Sequence, residues 1–373
     1  MKKILFVFGT RPEAIKLAPV IKLFKKENDF DVKCCSTGQH QQLLEMVLAF
    51  FNIKVDFDLG VMEPNQTLGK LTSKIIDGLD LVLKKFSPDL VVIHGDTTTS
   101  FCGALTSFYN KIPVAHVEAG LRTNNKYSPF PEEINRALNG YLSTIHFAPT
   151  KGAVANLEAV KIVSNVILTG NTVVDSLQMG LTRLKELDYL PIWHNRVAAN
   201  KRMILVTQHR RENFGKGIHS ILQALLQISQ RNDVQILFPV HLNPNVSSIV
   251  KELLSGNENI VLLEPLGYAD LLWSMQKCSF IITDSGGIQE EAPSLGKPFL
   301  VTRETTERPE AIESGAGFLV GTNTSKIVDY STRLLDDTSF YQASVNTINP
   351  YGDGNASSRI LRFVKEYFDG SNK

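Results

Sequence analysis

Ile4-Leu5-Phe6-Val7-Phe8-Gly9-Thr10-Arg11-Pro12-Glu13-Ala14-Ile15-Lys16 runs from an unbroken apolar segment through a single glycine into residues that suit a helix. A continuous apolar, β-branched run reads as a strand buried on both faces, the kind that parallel sheets carry between layers of helices. Comparable runs recur at 32–36, 90–93, 114–117, 145–148 and 166–168, each followed by a helix-like stretch, and again at 203–206, 234–238, 260–263, 280–283, 299–301 and 318–320. The alternation predicts an α/β protein with one parallel sheet in each half. A single eightfold barrel would leave more than about a hundred residues over.

The length agrees with two domains, because 373 residues exceed one ordinary core. The stretch 187–202, with Pro191 and the polar Trp193-His194-Asn195-Arg196, interrupts the alternation. The hinge is expected just upstream, near Thr169-Gly170-Asn171, giving domains 1–169 and 170–355. Asn349-Pro350-Tyr351-Gly352-Asp353-Gly354-Asn355 reads as a turn-rich crossover, and 356–373 as a final amphipathic helix that packs back on the first domain.

Composition excludes several classes of function. With 39 basic and 38 acidic residues the net charge is +1, so no global field favours a nucleic-acid backbone or an anionic membrane. Met1-Lys2-Lys3 starts like a secretion signal, but the run 4–8 is too short for its apolar core. No stretch of about 18 apolar residues is present to span a bilayer. Cys34 and Cys35 are adjacent and Cys102 and Cys278 isolated, which fits neither a zinc spacing nor a disulfide framework. A reducing cytoplasm is the expected compartment.

In open parallel sheets ligands bind beyond the carboxyl ends of strands, so the residues after each run carry the functional signal. After the first run, Gly9 opens a helix with Arg11 at its mouth, a candidate anion seat of free amides, helix dipole and guanidinium. Gly9 has no partners at the G-x-G-x-x-G spacing, so no nicotinamide cofactor is expected. His94-Gly95-Asp96-Thr97 follows the third run, with Asp96 or Thr97 able to cap the next helix, and His116-Val117-Glu118 follows the fourth. If the strands extend that far, His94/Asp96 and His116/Glu118 each share a face and could together hold a divalent metal. The simpler reading is a carboxylate cluster of Asp96, Glu118 and Glu132, with repulsion and burial preparing acid/base pairs. Pro131 places Glu132 and Glu133 at the electropositive start of a helix, with Arg136 one turn beyond Glu132 at ion-pair spacing. In the second half, Thr283-Asp284-Ser285-Gly286-Gly287 leads into Glu290-Glu291, where glycine amides can approach a diphosphate and Glu291 can accept from ribose hydroxyls. Thr207-Gln208-His209-Arg210-Arg211 brings an imidazole and two guanidiniums to the same sheet edge. The ligand these loops suit is a nucleoside diphosphate carrying another group.

Taken together, Gly9–Glu13, His94–Thr99, His116–Thr123, Pro129–Arg136, His209–Asn213, Thr283–Glu291 and Thr305–Glu310 closely resemble the non-hydrolysing UDP-N-acetylglucosamine 2-epimerases, in order and over almost the whole chain. The resemblance implies two Rossmann-like doubly wound domains in the glycosyltransferase-B arrangement, with the active site in the cleft between them. It implies catalytic positions at Asp96, Glu118, Glu132 and His209. Positions for the UDP-sugar are implied at Arg11, Lys16, Arg136, His241, Leu271, Ser285, Gly286, Gly287, Glu291 and Arg308. Leu271 stands where many relatives carry a phenylalanine against the uracil. An activating second UDP-GlcNAc would meet Gln39, His40, Gln42 and Asn65, the last standing where some allosteric members have arginine. The activity implied is reversible epimerisation of UDP-GlcNAc to UDP-ManNAc through elimination of UDP, feeding cell-surface polysaccharide synthesis, with no cofactor or metal, in a homodimer. The alternatives left open are a related UDP-2-acetamido sugar, a hydrolysing 2-epimerase, a glycosyltransferase of the same form and a non-catalytic nucleotide-sugar sensor.

Overall fold

The computed structural model describes residues 1–39, 41–208, 216–240 and 243–370. The strands are β1 (Lys2–Phe8), β2 (Phe30–Ser36), β3 (Phe57–Asp58), β4 (Leu90–His94), β5 (Val114–Val117), β6 (Ile145–Ala148), β7 (Val166–Leu168), β8 (Arg202–Thr207), β9 (Val234–Pro239), β10 (Ile260–Leu263), β11 (Phe280–Thr283), β12 (Phe299–Val301) and β13 (Gly317–Leu319). Between them run α1 (Arg11–Phe24), α2 (Gln41–Phe50), α3 (Leu68–Phe86), α4 (Thr98–Tyr109), α5 (Glu132–Leu142), α6 (Lys151–Ala159), α7 (Thr172–Glu186), α8 (Lys216–Ile228), α9 (Pro244–Leu254), α10 (Tyr268–Lys277), α11 (Gly286–Glu291), α12 (Pro309–Glu313) and α13 (Thr324–Asp336). Two more helices, α14 (Thr338–Val345) and α15 (Ala356–Asp369), complete the chain.

Every apolar run expected to be a strand is one. The strand that composition did not reveal is β3, whose two residues are too few for a periodic signal.

The chain divides into two compact units, Met1–Met179 with Tyr351–Lys373, and Gly180–Pro350. Unit 1 holds a parallel sheet in the order β3-β2-β1-β4-β5-β6-β7, and unit 2 a parallel sheet in the order β10-β9-β8-β11-β12-β13. Both orders reverse direction once, between β1 and β4 and between β8 and β11. This doubly wound pattern leaves a crevice beyond the strand ends at each reversal. The division of the units falls inside α7, downstream of Thr169-Gly170-Asn171.

Residues 4–8 of β1 are fully buried, since both faces of the sheet carry helices. In unit 1, Leu5, Val7, Val91 and Ile93 pack against Leu71, Ile75 and Leu79 of α3. In unit 2, Ile204, Val206, Ile236 and Phe238 pack against Ile221, Leu222 and Leu225 of α8. Helix α15 lies along α1, with Phe368 against Phe30 and Phe363 edge-on to Phe147. Its Lys365 reaches Glu27 at 2.5 Å.

Candidate active site

In unit 1 the reversal of strand order sets the end of β1 beside the end of β4. Thr10 caps α1 as half of a capping box whose other half is Glu13. The N–H groups of Gly9 and Thr10 and the Thr10 hydroxyl all donate to Glu13 Oε2, at 3.0, 2.8 and 2.8 Å, while the Thr97 hydroxyl donates to Oε1 at 2.7 Å. This corrects the anion seat expected here. The amides of Gly9 and Thr10 are already satisfied by the chain's own carboxylate, leaving Arg11 as the charged group at the helix mouth. Burial pushes the Glu13 carboxyl up from its ordinary value, against the hydrogen bonds from Thr97, Gly9 and Thr10 that favour the charged form.

Strand β4 stops at His94 and β5 at Val117, and the chain turns at once through left-handed residues, Gly95 at φ +64° and Glu118 at φ +65°. The premise of a shared strand face for His94/Asp96 and His116/Glu118 therefore fails. Among the described residues no group of three or more His, Cys, Asp and Glu side chains is arranged to hold a metal ion. The left-handed conformation is uncommon in a residue with a side chain, and such conformations concentrate at functional sites. It is Thr97, not Asp96, that caps α4, by accepting from the Ser100 N–H at 3.0 Å.

Nor do Asp96 and Glu118 depend on facing other carboxylates, because each has its own cation. Glu118, with its side chain 8 % exposed, is ion-paired with Lys16 of α1. Its Oε2 also accepts from the Asn171 side-chain amide at 2.9 Å, and His94 Nε2 stands 3.9 Å away. Asp96 receives Nε and Nη2 of Arg136, the first at 3.1 Å. Lys16 and Arg136, both expected to meet substrate, thus lie against catalytic candidates.

Arg136 belongs to α5, whose buried face is polar. Glu133, Asn135, Arg136 and Asn139 point inward, whereas Ile134, Leu138 and Tyr141 are exposed. This inversion has a local cause, since the turn after β4 offers carbonyls that need donors. Asn135 donates to the Asp96 carbonyl at 2.9 Å and Asn139 to the Gly95 carbonyl at 3.1 Å. Arg136 meets Glu133 at 3.3 Å, so the expected spacing from Glu132 gives way to contacts with Glu133 and Asp96. Glu133 in turn accepts from the N–H groups of Thr123 and Asn124 at 3.0 and 3.2 Å. Glu132 sits half-buried in the first turn of α5, at the positive end of the helix as expected.

Behind the turn, His116 Nε2 lies 2.7 Å from the Gly95 carbonyl and must carry the proton there. Its Nδ1 meets no partner among the described residues. Burial holds the ring pKa down to about 3, with His146 and His94 nearby adding to the effect and the Gly95 bond opposing it. The sequence reading named Asp96 and Arg136 but missed Asn135, Asn139 and Asn171. Their types are unremarkable, and their only sequence signal is nearness to charged motifs.

In unit 2, β11 ends at Thr283, Ser285 stands at the cap position of α11, and Gly286 and Gly287 open its first turn, as expected. A side-chain carbon added to Gly287 would meet only the Ser285 hydroxyl, at 3.8 Å, so the backbone is open to a ligand at this point. The Thr207 and Thr283 hydroxyls join β8 to β11 at 2.7 Å. Glu291 is buried, 6 % exposed. Its neighbour Glu290 holds Arg308 through Nε, and Gln289 accepts from the Thr306 hydroxyl at 2.6 Å, which docks the 305–308 loop onto α11. Leu271 is half-buried in α10. His209 and His241 lie outside the described residues, as do His40 and the side chain of Gln42. Of the remaining positions expected for a second ligand, Gln39 accepts from Thr99 at 3.3 Å, and Asn65 is exposed at φ +57° in the loop before α3.

Residues 22–365 match the protein family described as UDP-N-acetylglucosamine 2-epimerase. The UDP-N-acetylglucosamine 2-epimerase of Salmonella typhimurium is 50 % identical over 371 residues, which cover 98 % of this chain and 99 % of that protein. The crystal structure of UDP-GlcNAc 2-epimerase from Neisseria meningitidis bound to UDP-GlcNAc superposes with a TM-score of 0.90 at 48 % identity, covering 98 % of this chain and 100 % of that one. A glycosyltransferase from Streptomyces nogalater, 16 % identical with a TM-score of 0.60 over 97 % of this chain and 99 % of its own, shares the fold. With half its residues shared over its full length, and its carboxylates, lysine and arginine gathered at the strand ends, the chain belongs to the UDP-N-acetylglucosamine 2-epimerase family.

Proposed function

We propose that the chain interconverts UDP-GlcNAc and UDP-ManNAc by eliminating UDP to a 2-acetamidoglucal and adding it back. The observation that carries this reading is the pair of cation-held carboxylates, Glu118 with Lys16 and Asp96 with Arg136, in a chain half identical to such epimerases end to end.

The hydrogen at C2 of the sugar is not acidic while C1 keeps its bond to the diphosphate. Breaking that bond first develops positive character at C1, which acidifies the neighbouring C–H and loads negative charge onto UDP. Preorganised cations and amides aimed at that charge lower the barrier without reorganising. Arg11, His209, Arg308 and the Ser285-Gly286-Gly287 amides take this role, with Glu291 on the ribose, Leu271 beside the uracil and His241 along the same ligand. Because Glu13 already occupies the Gly9 and Thr10 amides, charge at that corner falls to the Arg11 guanidinium. Asp96, Glu118 and Glu132 supply the proton transfers, one removing the C2 proton and another returning it from the opposite face.

The exposed apolar stripe of Ile134, Leu138 and Tyr141, with Phe108 and Tyr109 of α4 also exposed, supports a homodimer. A second UDP-GlcNAc bound near Gln39, His40, Gln42 and Asn65 would act as activator, with Asn65 contributing no charge. Among the described residues no helix is long and apolar enough to cross a membrane. Four buried, unpaired cysteines suit a reducing cytoplasm.

The test is incubation with UDP-GlcNAc in D2O, followed by proton and phosphorus NMR. UDP-ManNAc with deuterium at C2 in both epimers is the expected result. Release of free ManNAc with UDP would assign the hydrolysing reaction, and no exchange with any UDP-2-acetamido sugar would overturn the proposal.

A further inference from the structure

Asn171 uses every polar group it has. Its Oδ1 accepts from the Val173 N–H at 3.0 Å, as a residue capping α7 does. Its own N–H donates to the Tyr351 carbonyl at 2.8 Å, and its carbonyl accepts from Val174 at 3.2 Å. The side-chain N–H group donates to Glu118 Oε2 at 2.9 Å. The residue is 4 % exposed.

Capping explains only the oxygen. Serine, threonine or aspartate would cap α7 equally well, but none of them presents an amide donor. The donor matters to one partner, the Glu118 carboxylate, which comes from a different strand end and sits on a left-handed turn residue. The bracket holding this donor is itself stiff. Gly170 lies at φ +86° and Gly352 at φ +118°, and a side-chain carbon on Gly352 would come within 3.3 Å of Gly170 Cα. Backbone therefore packs on backbone where the crossover segment meets the residue preceding Asn171, and the Tyr351 carbonyl pins Asn171 from behind.

We infer that Asn171 is the positioning residue for Glu118: held between the α7 cap and the crossover segment, its amide fixes the direction of the Glu118 carboxyl. Lys16 supplies charge to the same oxygen from α1, whereas Asn171 supplies angle. A rigid second donor keeps a base aligned through the whole catalytic cycle, and a misplacement of about 1 Å costs on the order of a hundredfold in rate. This inference rests on the epimerase reading for its catalytic consequence and on the geometry alone for the contact.

Two variants separate positioning from capping. Asn171→Ser keeps a capping oxygen and loses the amide N–H group that reaches Glu118. Asn171→Asp keeps the cap, the size and the shape, and turns a second acceptor toward Glu118. A capping or packing role ranks Asp at or above Ser, whereas the positioning role ranks Ser above Asp. The expected result for Asn171→Ser is a kcat lower by roughly ten- to a hundredfold, with KM for UDP-GlcNAc and UDP affinity close to wild type. A wild-type kcat in Asn171→Ser, or the reverse ranking, overturns the inference.

A double-mutant cycle of Asn171→Ser with Glu118→Gln, read by thermal unfolding, needs no turnover. Additive effects in the cycle would also overturn the inference. Should the wild-type protein leave UDP-GlcNAc unchanged while the cycle shows coupling, the epimerase reading fails and the Asn171–Glu118 support stands.

Discussion

His116 ties acid sensitivity to the turn that carries Asp96. The ring is wholly buried and donates through Nε2 to the Gly95 carbonyl. In the unfolded chain it takes up a proton near its ordinary 6.5, whereas in the folded chain it stays neutral down to about 3. Between those values the unfolded state binds more protons than the native state. Stability is therefore fully present above 6.5 and lost as pH falls toward 3. By pH 5 the expected loss from this one group is about 2 kcal/mol relative to pH 7.5. Substituting His116→Gln places an amide nitrogen where Nε2 stood, keeping a donor for Gly95 and removing the titration. The assay is hydrogen exchange of the β4 and β5 amides at pH 7.5 and pH 5, corrected for intrinsic exchange. Tryptophan fluorescence does not serve, since Trp193 and Trp273 both belong to unit 2. The gap between the two proteins should shift in favour of His116→Gln by about 2 kcal/mol on acidification. Parallel losses in both proteins would refute the neutral, Nε2-protonated assignment, and with it the account of how the Gly95 carbonyl is held.

Other consequences can be measured in the same preparations. Glu118→Gln and Asp96→Asn should abolish turnover while UDP still binds, and full activity in either would remove that residue from the mechanism. Gly120→Ala forces a side chain into a φ of +90° and against the Ala153 backbone carbonyl, for an expected cost of about 2–4 kcal/mol in denaturant unfolding; a cost below about 1 kcal/mol contradicts the packing. Thr97→Ala removes both the α4 cap and a hydrogen bond to Glu13 and should cost about 1–2 kcal/mol. Because burial raises the Glu13 carboxyl above its ordinary 4.5, its contribution is fully present below 4.5 and lost as pH rises through the folded value. The stability margin of wild type over Glu13→Gln should thus be largest near pH 4 and shrink toward neutrality; a margin that widens with pH reverses the sign of the argument.

The strands, the two-sheet scheme and the turns that carry the candidate carboxylates were legible in the sequence because their signals are local. An unbroken run such as 4–8 reveals a doubly covered strand within a few residues, and Gly9, Gly95 and the Gly286-Gly287 pair mark the turns where such strands deliver chemistry. What the chain alone did not disclose is which groups satisfy which. Glu13 filling the amides of Gly9 and Thr10 could be suspected from spacing, but its bond to Thr97 crosses from the end of β1 to the end of β4. Arg136, which holds the Asp96 carboxylate, lies 40 residues away in α5, Asn171, one partner of Glu118, lies 53 residues away, and His116, one partner of the Gly95 carbonyl, lies 21 residues away. Hydrophobic period and turn chemistry are properties of neighbouring residues and survive in the linear sequence. Hydrogen-bond direction and charge pairing exist only once parallel strands have been brought side by side, so the polar inner face of α5 and the bracket around Asn171 belong to the tertiary structure alone.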